Sequence, residues 1–256
     1  MTQDFSSDYN RVAWCTEVSP SNFEYFRELK EDSVSAAIIA LRTSGSISDN
    51  HSIEQLQAAR AAGMLVHAGV ITDLERPEDD ADELMLRMRF HGFSKERRVA
   101  IMAVPDPILE DQTERLCQLI IRLCNWCSVA NIDICLDRRQ ILNGDIDLDE
   151  LPAGINLTVS NPGGLNSGVP LAGTWIYANR YRGYPQLLAY DFYQFYTEEP
   201  MDRGYQMNLI GEYEALPGDS WWIIAKKHGM SILDLLALNE ADLDDRILPG
   251  EIIKVN

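Results

Sequence analysis

Short apolar runs alternate with amphipathic segments along most of the chain. The clearest run is Val99–Val104, which Pro105 and Pro107 end abruptly. A continuous apolar run between chain-breaking residues is typical of a strand buried on both faces, as in a parallel sheet covered by helices. The other runs of this kind are also predicted as strands: Arg11–Val18, Ala36–Leu41, Met64–Ile71, Ile132–Leu136, Ile155–Val159, Thr174–Ala178 and Leu187–Phe195.

Helical segments separate most of these strands. Ser52–Ala62 has a capping serine at its start and Gly63 behind its end. The first turn of Pro77–Phe90 is acidic, which suits the positive end of the helix dipole. This alternation predicts a parallel α/β sheet, with an irregular last quarter because no clear helix separates the final two strands. The remaining predicted helices are Ser21–Lys30, Leu109–Ser128 and a short acidic one at Leu148–Leu151.

The pattern changes after Gly211. A strand, two helices and a closing strand follow within Tyr213–Asn256. We therefore predict two domains, residues 1–210 and residues 211–256. No Gly/Ser-rich linker joins them, so we expect them to pack together rather than to be tethered.

The charge of the chain argues against two classes of partner. The formal net charge of −18 gives an acidic surface, which repels nucleic-acid phosphates and anionic lipids. No apolar run approaches the length of a membrane span, and the polar N-terminus does not have the pattern of a signal peptide. We therefore expect a protein that is made in the cytoplasm and binds neither nucleic acid nor membrane.

The residues that could support redox or metal chemistry are not arranged for it. The chain has five cysteines, an odd number without framework spacing, so we expect reduced thiols. Cys124 and Cys127 form a C-x-x-C inside an apolar helical run, which predicts buried core thiols, since a reactive pair needs a helix start. Asp191, inside a strand-like run, is expected to be a satisfied buried acid. No metal site and no cofactor are expected, because no zinc motif recruits the scattered histidines: His51, His67, His91 and His228.

The C-terminal segment carries turn, cap and apolar positions at a recognisable spacing. Pro217–Asp219 predicts the turn into the first helix, Asn239 ends the second helix, and Leu248–Glu251 opens the closing strand. Over Tyr213–Val255 this pattern resembles a LysM module. The resemblance implies a small α+β fold of the order βααβ, with a shallow groove for N-acetylglucosamine chains such as peptidoglycan or chitin. Carried onto this sequence, the groove residues are Gly218, Asp219, Ser220, Trp221, Asn239, Ile247, Leu248 and Pro249.

A second use of this module stays open. LysM modules also occur in phage and contractile-tail proteins, where they contact other proteins. The single copy and the acidic rim favour that use, since several copies give avidity and an anionic wall repels acids. In this interpretation docking centres on an exposed Trp221 and the loop Asp242–Leu248. Trp222 faces inward, because adjacent helical positions point about 100° apart. The rim consists of Asp242, Asp244, Asp245 and Glu251.

Segments of the first domain resemble the lysozymes of glycoside hydrolase family 25, from about Val12 to Ile210. Glu17-Val18-Ser19 stands where that family has D-V-S at the end of strand one. Ile38–Gly45 resembles I-I-K-A-T-E-G, and Trp175–Ala178 resembles W-I-A-x-Y. The resemblance implies an irregular (β/α) barrel of the kind that cleaves the glycan of peptidoglycan.

The departures from that family fall at the strand ends that carry its chemistry. The strand-four motif D-V-E-D is Ala103-Val104-Pro105-Asp106 here, so both catalytic acids are replaced. Ser44 stands for the strand-two glutamate, and Val70–Thr72 replaces Y-H-F. The late aspartate of the family falls at Gln206 or Met207. Both Ala103 and Pro105 are expected to face the open mouth of the barrel.

Two functions follow from this comparison. Glycoside cleavage needs a proton donor and a second carboxylate, so their replacement predicts a non-catalytic structural or binding protein. We expect it in the tail or baseplate of a phage-like particle, with other particle proteins or peptidoglycan glycan as partners. The alternative is a phage-type endolysin that hydrolyses peptidoglycan with a divergent site. In that case Glu17 and Asp106, at adjacent mouths of the barrel, would form the catalytic pair.

Overall fold

The structure is a computed structural model that describes residues 10–45, 50–198, 211–216, 219–228, 230, 232–239, 241 and 245–255. Internal contacts divide the chain into two units, Met1–Glu199 and Pro200–Asn256, and each is described by itself. The domain boundary predicted at residues 210 and 211 falls at the edge of a stretch outside the described residues. It therefore stays a prediction.

The first unit is a closed barrel of eight strands in chain order. Neighbouring strands are parallel from the first to the seventh, and the eighth is antiparallel to both of its neighbours. The α/β barrel predicted from the sequence is thus confirmed. Its strands are β1 (Asn10–Cys15), β2 (Val34–Thr43), β3 (Leu65–Thr72), β4 (Val99–Ala103), β5 (Ile132–Asp137), β6 (Asn156–Ser160), β7 (Thr174–Tyr181) and β8 (Tyr184–Asp191).

A tight turn makes β8 antiparallel. Tyr181 pairs with Tyr184 across it, and the two residues between them, Arg182 and Gly183, have φ angles of 48° and 88°. Positive φ at both central positions is the geometry of a two-residue hairpin turn, which fits the twist of the flanking strands. The prediction of a parallel sheet therefore holds for β1 to β7 and is wrong for β8.

Five helices cover the outer wall of the barrel among the described residues. The Asn22 side chain caps α1 by accepting a 2.9 Å hydrogen bond from the Tyr25 amide, as helix starts commonly require. The fourth helix is shorter than predicted and spans only Gln112–Leu123. It cannot begin earlier, because Asp111 has a left-handed backbone with a φ of 58°. The helices are α1 (Phe23–Glu31), α2 (Asn50–Ala61), α3 (Pro77–Phe90), α4 (Gln112–Leu123) and α5 (Arg138–Asn143), with single 3₁₀ turns at Val129–Asn131 and Leu148–Glu150.

Alternate residues of each strand point into the barrel, as the two-residue period of a strand requires. The large indole of Trp14 fills the centre, and Gly69 leaves the room for it. A Cβ added at Gly69 would lie 3.0 Å from Cη2 of Trp14. The other inward apolar side chains form one cluster with Trp14: Val12, Ala36, Ile38, Ala40, Ala100, Met102, Cys135, Ile176 and Ala189.

A polar floor closes the barrel at the N-terminal ends of its parallel strands. The Tyr196 hydroxyl donates to Asp133, which also accepts from Asn156 and Thr158. Asp191 is 1% exposed and accepts from the backbone amides of residues 195, 196 and 197. Burial raises the pKa of Asp191 above its usual range. The prediction of a satisfied buried acid at this position is confirmed.

The second unit is a small α+β fold in the order βααβ. It consists of β9 (Gly211–Glu214), α6 (Trp221–Lys227), α7 (Ile232–Asn239) and β10 (Ile252–Val255), and the two strands pair antiparallel. Its core is formed by Ala215, Trp221, Ile224, Ala225, Leu235, Leu236, Ile253 and Val255. This arrangement confirms the fold predicted for the C-terminal module.

The two adjacent tryptophans of this unit lie the other way round from the prediction. Trp221 is 6% exposed, and its indole Nε1 donates to the carbonyl of Asp245 at 2.9 Å. Trp222 is only partly buried, and the ammonium of Lys226 lies 5.1 Å from its ring centroid. The reason is the helix start: Ser220 caps α6, so Trp221 is its first residue and turns inward beneath the cap.

Candidate functional site

A pocket of about 260 Å³ lies at the mouth of the barrel, where the parallel strands end. Its apolar wall comes from the end of β4 and the loop behind it, together with Cys135 and Leu187. Its polar wall comes from the ends of β5 and β6 and from the segments that follow β4 and β5. The lining residues are Met102, Ala103, Val104, Pro105, Pro107, Gln112, Cys135, Asp137, Gln140, Asp145, Ser160 and Leu187.

The orientation of strand four differs from the prediction. Met102 packs with the cluster inside the barrel, whereas Ala103 is 3% exposed and packs with the outer cluster beneath the helices. Successive strand residues alternate between faces, so only one of the two can point inward. Ala103 is among the lining residues, but its side chain packs with the outer cluster, so the expectation that this side chain faces the mouth is wrong. Pro105 lies two residues beyond β4 and does line the pocket. Within β4 itself, the last residue that points inward is the apolar Met102.

Glu17 and Asp106, the predicted alternative catalytic pair, are both exposed. Asp106 accepts a hydrogen bond from the amide of Ile108 at 3.0 Å, so its carboxylate holds the turn of its own loop. Strands β2 and β3 separate β1 from β4 in the barrel. The expectation that these two acids sit at adjacent mouths is therefore wrong.

Asp137 and Asp145, which were not among the predicted site residues, line the pocket. Asp137 ends β5 and caps α5, where its side chain accepts from the Arg139 amide at 2.8 Å. Asp145 follows the end of α5 and is exposed. The signal was available in the sequence, because Asp137 directly follows the apolar run of β5 at the mouth end. Its spacing to Gln140 is that of a capping box, which indicates only a helix start.

Two other positions matched to the family motif serve the wall of the barrel. The hydroxyls of Ser44 and Thr72 both donate to Asp80, at 2.5 and 2.7 Å. Asp80 is 2% exposed and also accepts from Arg42 at 3.0 Å. These hydrogen bonds tie α3 to the ends of β2 and β3. Gln206 and Met207, matched to the late aspartate, lie outside the described residues.

Most residues predicted for the groove of the second unit have structural partners. Asp219 accepts from the Tyr213 hydroxyl at 2.6 Å and from the Leu216 amide at 2.7 Å. Asn239 exchanges hydrogen bonds with the backbone of Lys254, at 2.8 and 2.7 Å. Ser220 caps α6. These three side chains therefore hold the loops and strands of the unit in place.

The remaining groove predictions differ in exposure. Ile247 is partly buried against the core, whereas Leu248 is 65% exposed and Pro249 is also exposed. Gly218, and the rim residues Asp242 and Asp244, lie outside the described residues. Leu248 and Pro249 are thus the predicted groove residues whose side chains are open to a partner.

Comparison with known proteins identifies the second unit. Residues 213–256 match the LysM domain family. The chain ends in a LysM domain. Among curated proteins, none matches the chain in sequence.

The barrel has the fold of the family 25 glycoside hydrolases. The catalytic domain of an endolysin from a bacteriophage of Listeria monocytogenes superposes with a TM-score of 0.57 at 14% identity, covering 72% of this chain and 94% of that one. A family 25 glycosyl hydrolase from Bacillus anthracis gives 0.56 at 11%, covering 73% and 90%. The bacterial lysozyme of Streptomyces coelicolor gives 0.55 at 13%, covering 72% and 92%. Sequence identities this low show that the folds are alike and do not show a shared activity.

Metal-binding and thiol groups do not form a site in the part of the chain that the structure covers. No cluster of three or more His, Cys, Asp or Glu residues suited to a metal ion occurs there. Cys127 is buried, which raises its pKa to about 12, but Cys124 is exposed. The expectation of two buried thiols is therefore wrong for Cys124, because α4 ends at Leu123 and leaves the next residue at the surface.

None of the helices within the described ranges has both the length and the apolar composition to cross a lipid bilayer.

Proposed function

We propose that the chain is a non-catalytic binding protein that attaches to peptidoglycan glycan through its LysM domain. The observation that carries this proposal is the apolar end of strand four. Family 25 lysozymes are expected to carry their acids there, whereas Met102 occupies the inward position and Val104 and Pro105 follow it. Loss of a general acid alone lowers the rate of catalysis by about a hundred- to ten-thousand-fold.

The LysM domain supports the binding part of this proposal. Leu248 and Pro249 are exposed beside the loop that leads into β10, and apolar side chains there can pack against the faces of sugar rings. Trp221 stabilises the fold and does not contact a ligand, because its indole is buried and donates a hydrogen bond to the backbone carbonyl of Asp245. This removes Trp221 both from the predicted glycan groove and as the predicted docking anchor, so the glycan proposal depends on the exposed Leu248 and Pro249 and on the match to the LysM family.

We further propose that this binding serves the tail or baseplate of a phage or contractile-tail-like particle. A barrel of lysozyme fold without acids on strand four, joined to a single LysM domain, suits a part that contacts the cell wall without cutting it. The solved structures of similar fold include the catalytic domain of a bacteriophage endolysin. Particle proteins are the second expected class of partner.

One observation favours hydrolysis as the alternative function. Asp137 and Asp145 both line the pocket at the barrel mouth, and a pair of carboxylates is what glycoside cleavage requires. A divergent endolysin would use these two residues rather than Glu17 and Asp106. Neither residue lies on strand four, so such an enzyme would have moved its acids to the end of β5 and the segment behind α5.

The binding proposal is tested by co-sedimentation of the full chain with purified, insoluble peptidoglycan. We expect the chain to sediment with the wall material and Leu248→Asp to lower the retained fraction about five-fold, roughly 1 kcal/mol of binding free energy. Ile121→Asp is the matched control, since Ile121 on α4 is 63% exposed and Leu248 is 65% exposed. Equal retention of both variants would contradict a glycan contact at Leu248. Loss of all retention, with co-purification of particle proteins, would support docking instead.

A further inference from the structure

The pocket at the barrel mouth joins an apolar wall to a set of hydrogen-bond acceptors. Met102, Val104 and Pro105 are among its apolar residues, and Asp137 and Asp145 are its carboxylates. Both carboxylates are exposed, and neither forms an ion pair with a basic side chain in the described part of the chain. The pocket therefore offers negative charge next to an apolar surface.

Gln112 adds an acceptor that has no donor. Its side-chain Nε2 donates to the carbonyls of Leu109 and Asp106, at 3.1 and 3.5 Å. Both partners can only accept, so the amide cannot be flipped, and Oε1 is fixed on the other side. Gln112 is 7% exposed, and its Oε1 is buried without a hydrogen-bond partner among the residues that the structure describes. A buried acceptor left in this state costs free energy, which a donor from a ligand would recover.

The frame around these acceptors is held in place. Gln140 donates from Nε2 to the carbonyl of Ala103 at 3.4 Å and accepts the Asp137 amide at 2.7 Å. These bonds join the start of α5 to the end of β4. The amide of Asp147 donates to the Thr113 hydroxyl at 2.9 Å, which joins the segment behind α5 to the start of α4. The two sides of the pocket are thus positioned by hydrogen bonds of their own.

We propose that this pocket binds a lysine side chain of a partner polypeptide. An ammonium group carries three donors and no acceptor, which matches Asp137, Asp145 and the free Oε1 of Gln112. These acceptors come from three different segments, and a compact ammonium suits such an arrangement better than the planar fork of arginine. The methylene stem would lie along Met102, Val104 and Pro105, as long charged side chains do on apolar surfaces.

The rim of the pocket fits a polypeptide rather than a free amine. Val104 is 59% exposed and Ile108 is 85% exposed, and both belong to the loop that follows β4. These side chains offer apolar contact to residues on either side of a bound lysine. The inference rests on the proposed non-catalytic function, because a hydrolytic barrel would receive glycan at this mouth.

The test is a titration of the full ¹⁵N-labelled chain with acetyl-Ala-Ala-Lys-Ala-Ala-amide, followed by nuclear magnetic resonance. We expect saturable shifts that include the side-chain amide of Gln112. The same peptide with norleucine in place of lysine keeps the stem and loses the ammonium, and it should bind at least about five-fold more weakly. Asp145→Asn should weaken lysine-peptide binding by a similar factor. Asp149→Asn, which removes the same charge from an exposed residue outside the lining, should leave the binding unchanged.

Three results would overturn the inference: no saturable shift, equal binding of the norleucine peptide, or equal weakening by Asp149→Asn and Asp145→Asn. The last of these would show a general attraction between an acidic protein and a basic peptide. A different result would contradict the proposed function. Release of reducing sugar from peptidoglycan by a chain that also binds the lysine peptide would contradict the function and leave the pocket assignment in place. A chain that neither cleaves glycan nor binds the peptide would contradict the pocket assignment alone.

Discussion

Met102 and Ala103, successive residues at the end of β4, lie on opposite faces of the barrel wall. Met102 packs with the side chains inside the barrel, and Ala103 packs beneath the helices. This relationship decides which of the two side chains points into the barrel beneath its mouth. The residue is a methionine, which can neither donate a proton nor stabilise a positive charge on a sugar ring.

The first prediction uses this orientation. Ala103→Asp would place a carboxylate in the apolar layer between β4 and the helices. We expect it to lower the free energy of unfolding by about 3 kcal/mol or more. Val104→Asp is the control, because Val104 is 59% exposed and should change stability by less than about 0.5 kcal/mol. Urea unfolding of both variants measures the difference, and equal stability would mean that residue 103 does not lie on the outer face.

The second prediction concerns His67, which is completely buried in the barrel. Its Nε2 lies 2.7 Å from the carbonyl oxygen of Tyr196, and burial lowers its pKa from 6.5 to about 3. Below pH 6.5 the unfolded chain binds a proton that the folded chain does not bind. Stability contributed by neutral His67 is therefore present above pH 6.5 and is lost as the pH falls toward 3, by about 1.4 kcal/mol per pH unit.

The variant His67→Gln keeps a donor for the Tyr196 carbonyl and removes the titration. Unfolding free energies measured at pH 7, 6 and 5 should fall less steeply in this variant than in the unaltered chain. The carboxylates of the chain contribute equally to both curves, so the difference in slope isolates the histidine. Parallel curves would show that His67 is protonated as readily in the folded state as in the unfolded state.

The third prediction separates the two tryptophans of the LysM domain. Trp221→Ala removes a buried indole and its hydrogen bond to Asp245, which should cost about 3–5 kcal/mol. Trp222→Ala removes a partly exposed ring and its contact with Lys226, which should cost less than about 1 kcal/mol. Hydrogen exchange of the β10 amides in the full chain reports these losses. Faster exchange in Trp222→Ala than in Trp221→Ala would restore the orientation first expected from the sequence.

The apolar runs between turns and helices predicted a parallel α/β sheet, because a buried parallel strand needs such a run, and the closed barrel was implied by the resemblance to family 25 lysozymes. The sequence did not predict the face of each residue at the end of β4. Pro105 and Pro107 show where the strand stops, but a shift of one residue moves every side chain to the other face. An ambiguity of one residue also reversed the predicted exposure of Trp221 and Trp222. Which of the two faces inward depends on where the helix starts, and the Ser220 cap sets that position.

The acids of the mouth were missed for a different reason. Asp137 and the Gln140 three residues later match the start of a helix, and Asp145 stands in a short segment rich in acids. Only the closed barrel brings both of them into the same pocket as Met102. Their shared pocket is a tertiary feature, which no local pattern of the sequence contains.

The absence of glycan cleavage is the central claim, and release of reducing sugar from purified peptidoglycan tests it most directly. The full chain should release no more reducing sugar than buffer alone, under conditions in which an active lysozyme solubilises the wall. Asp137→Asn, Asp145→Asn and the outside control Asp149→Asn should all give the same background. Release that Asp137→Asn or Asp145→Asn abolishes, and that Asp149→Asn leaves intact, would contradict the account and establish a divergent muramidase.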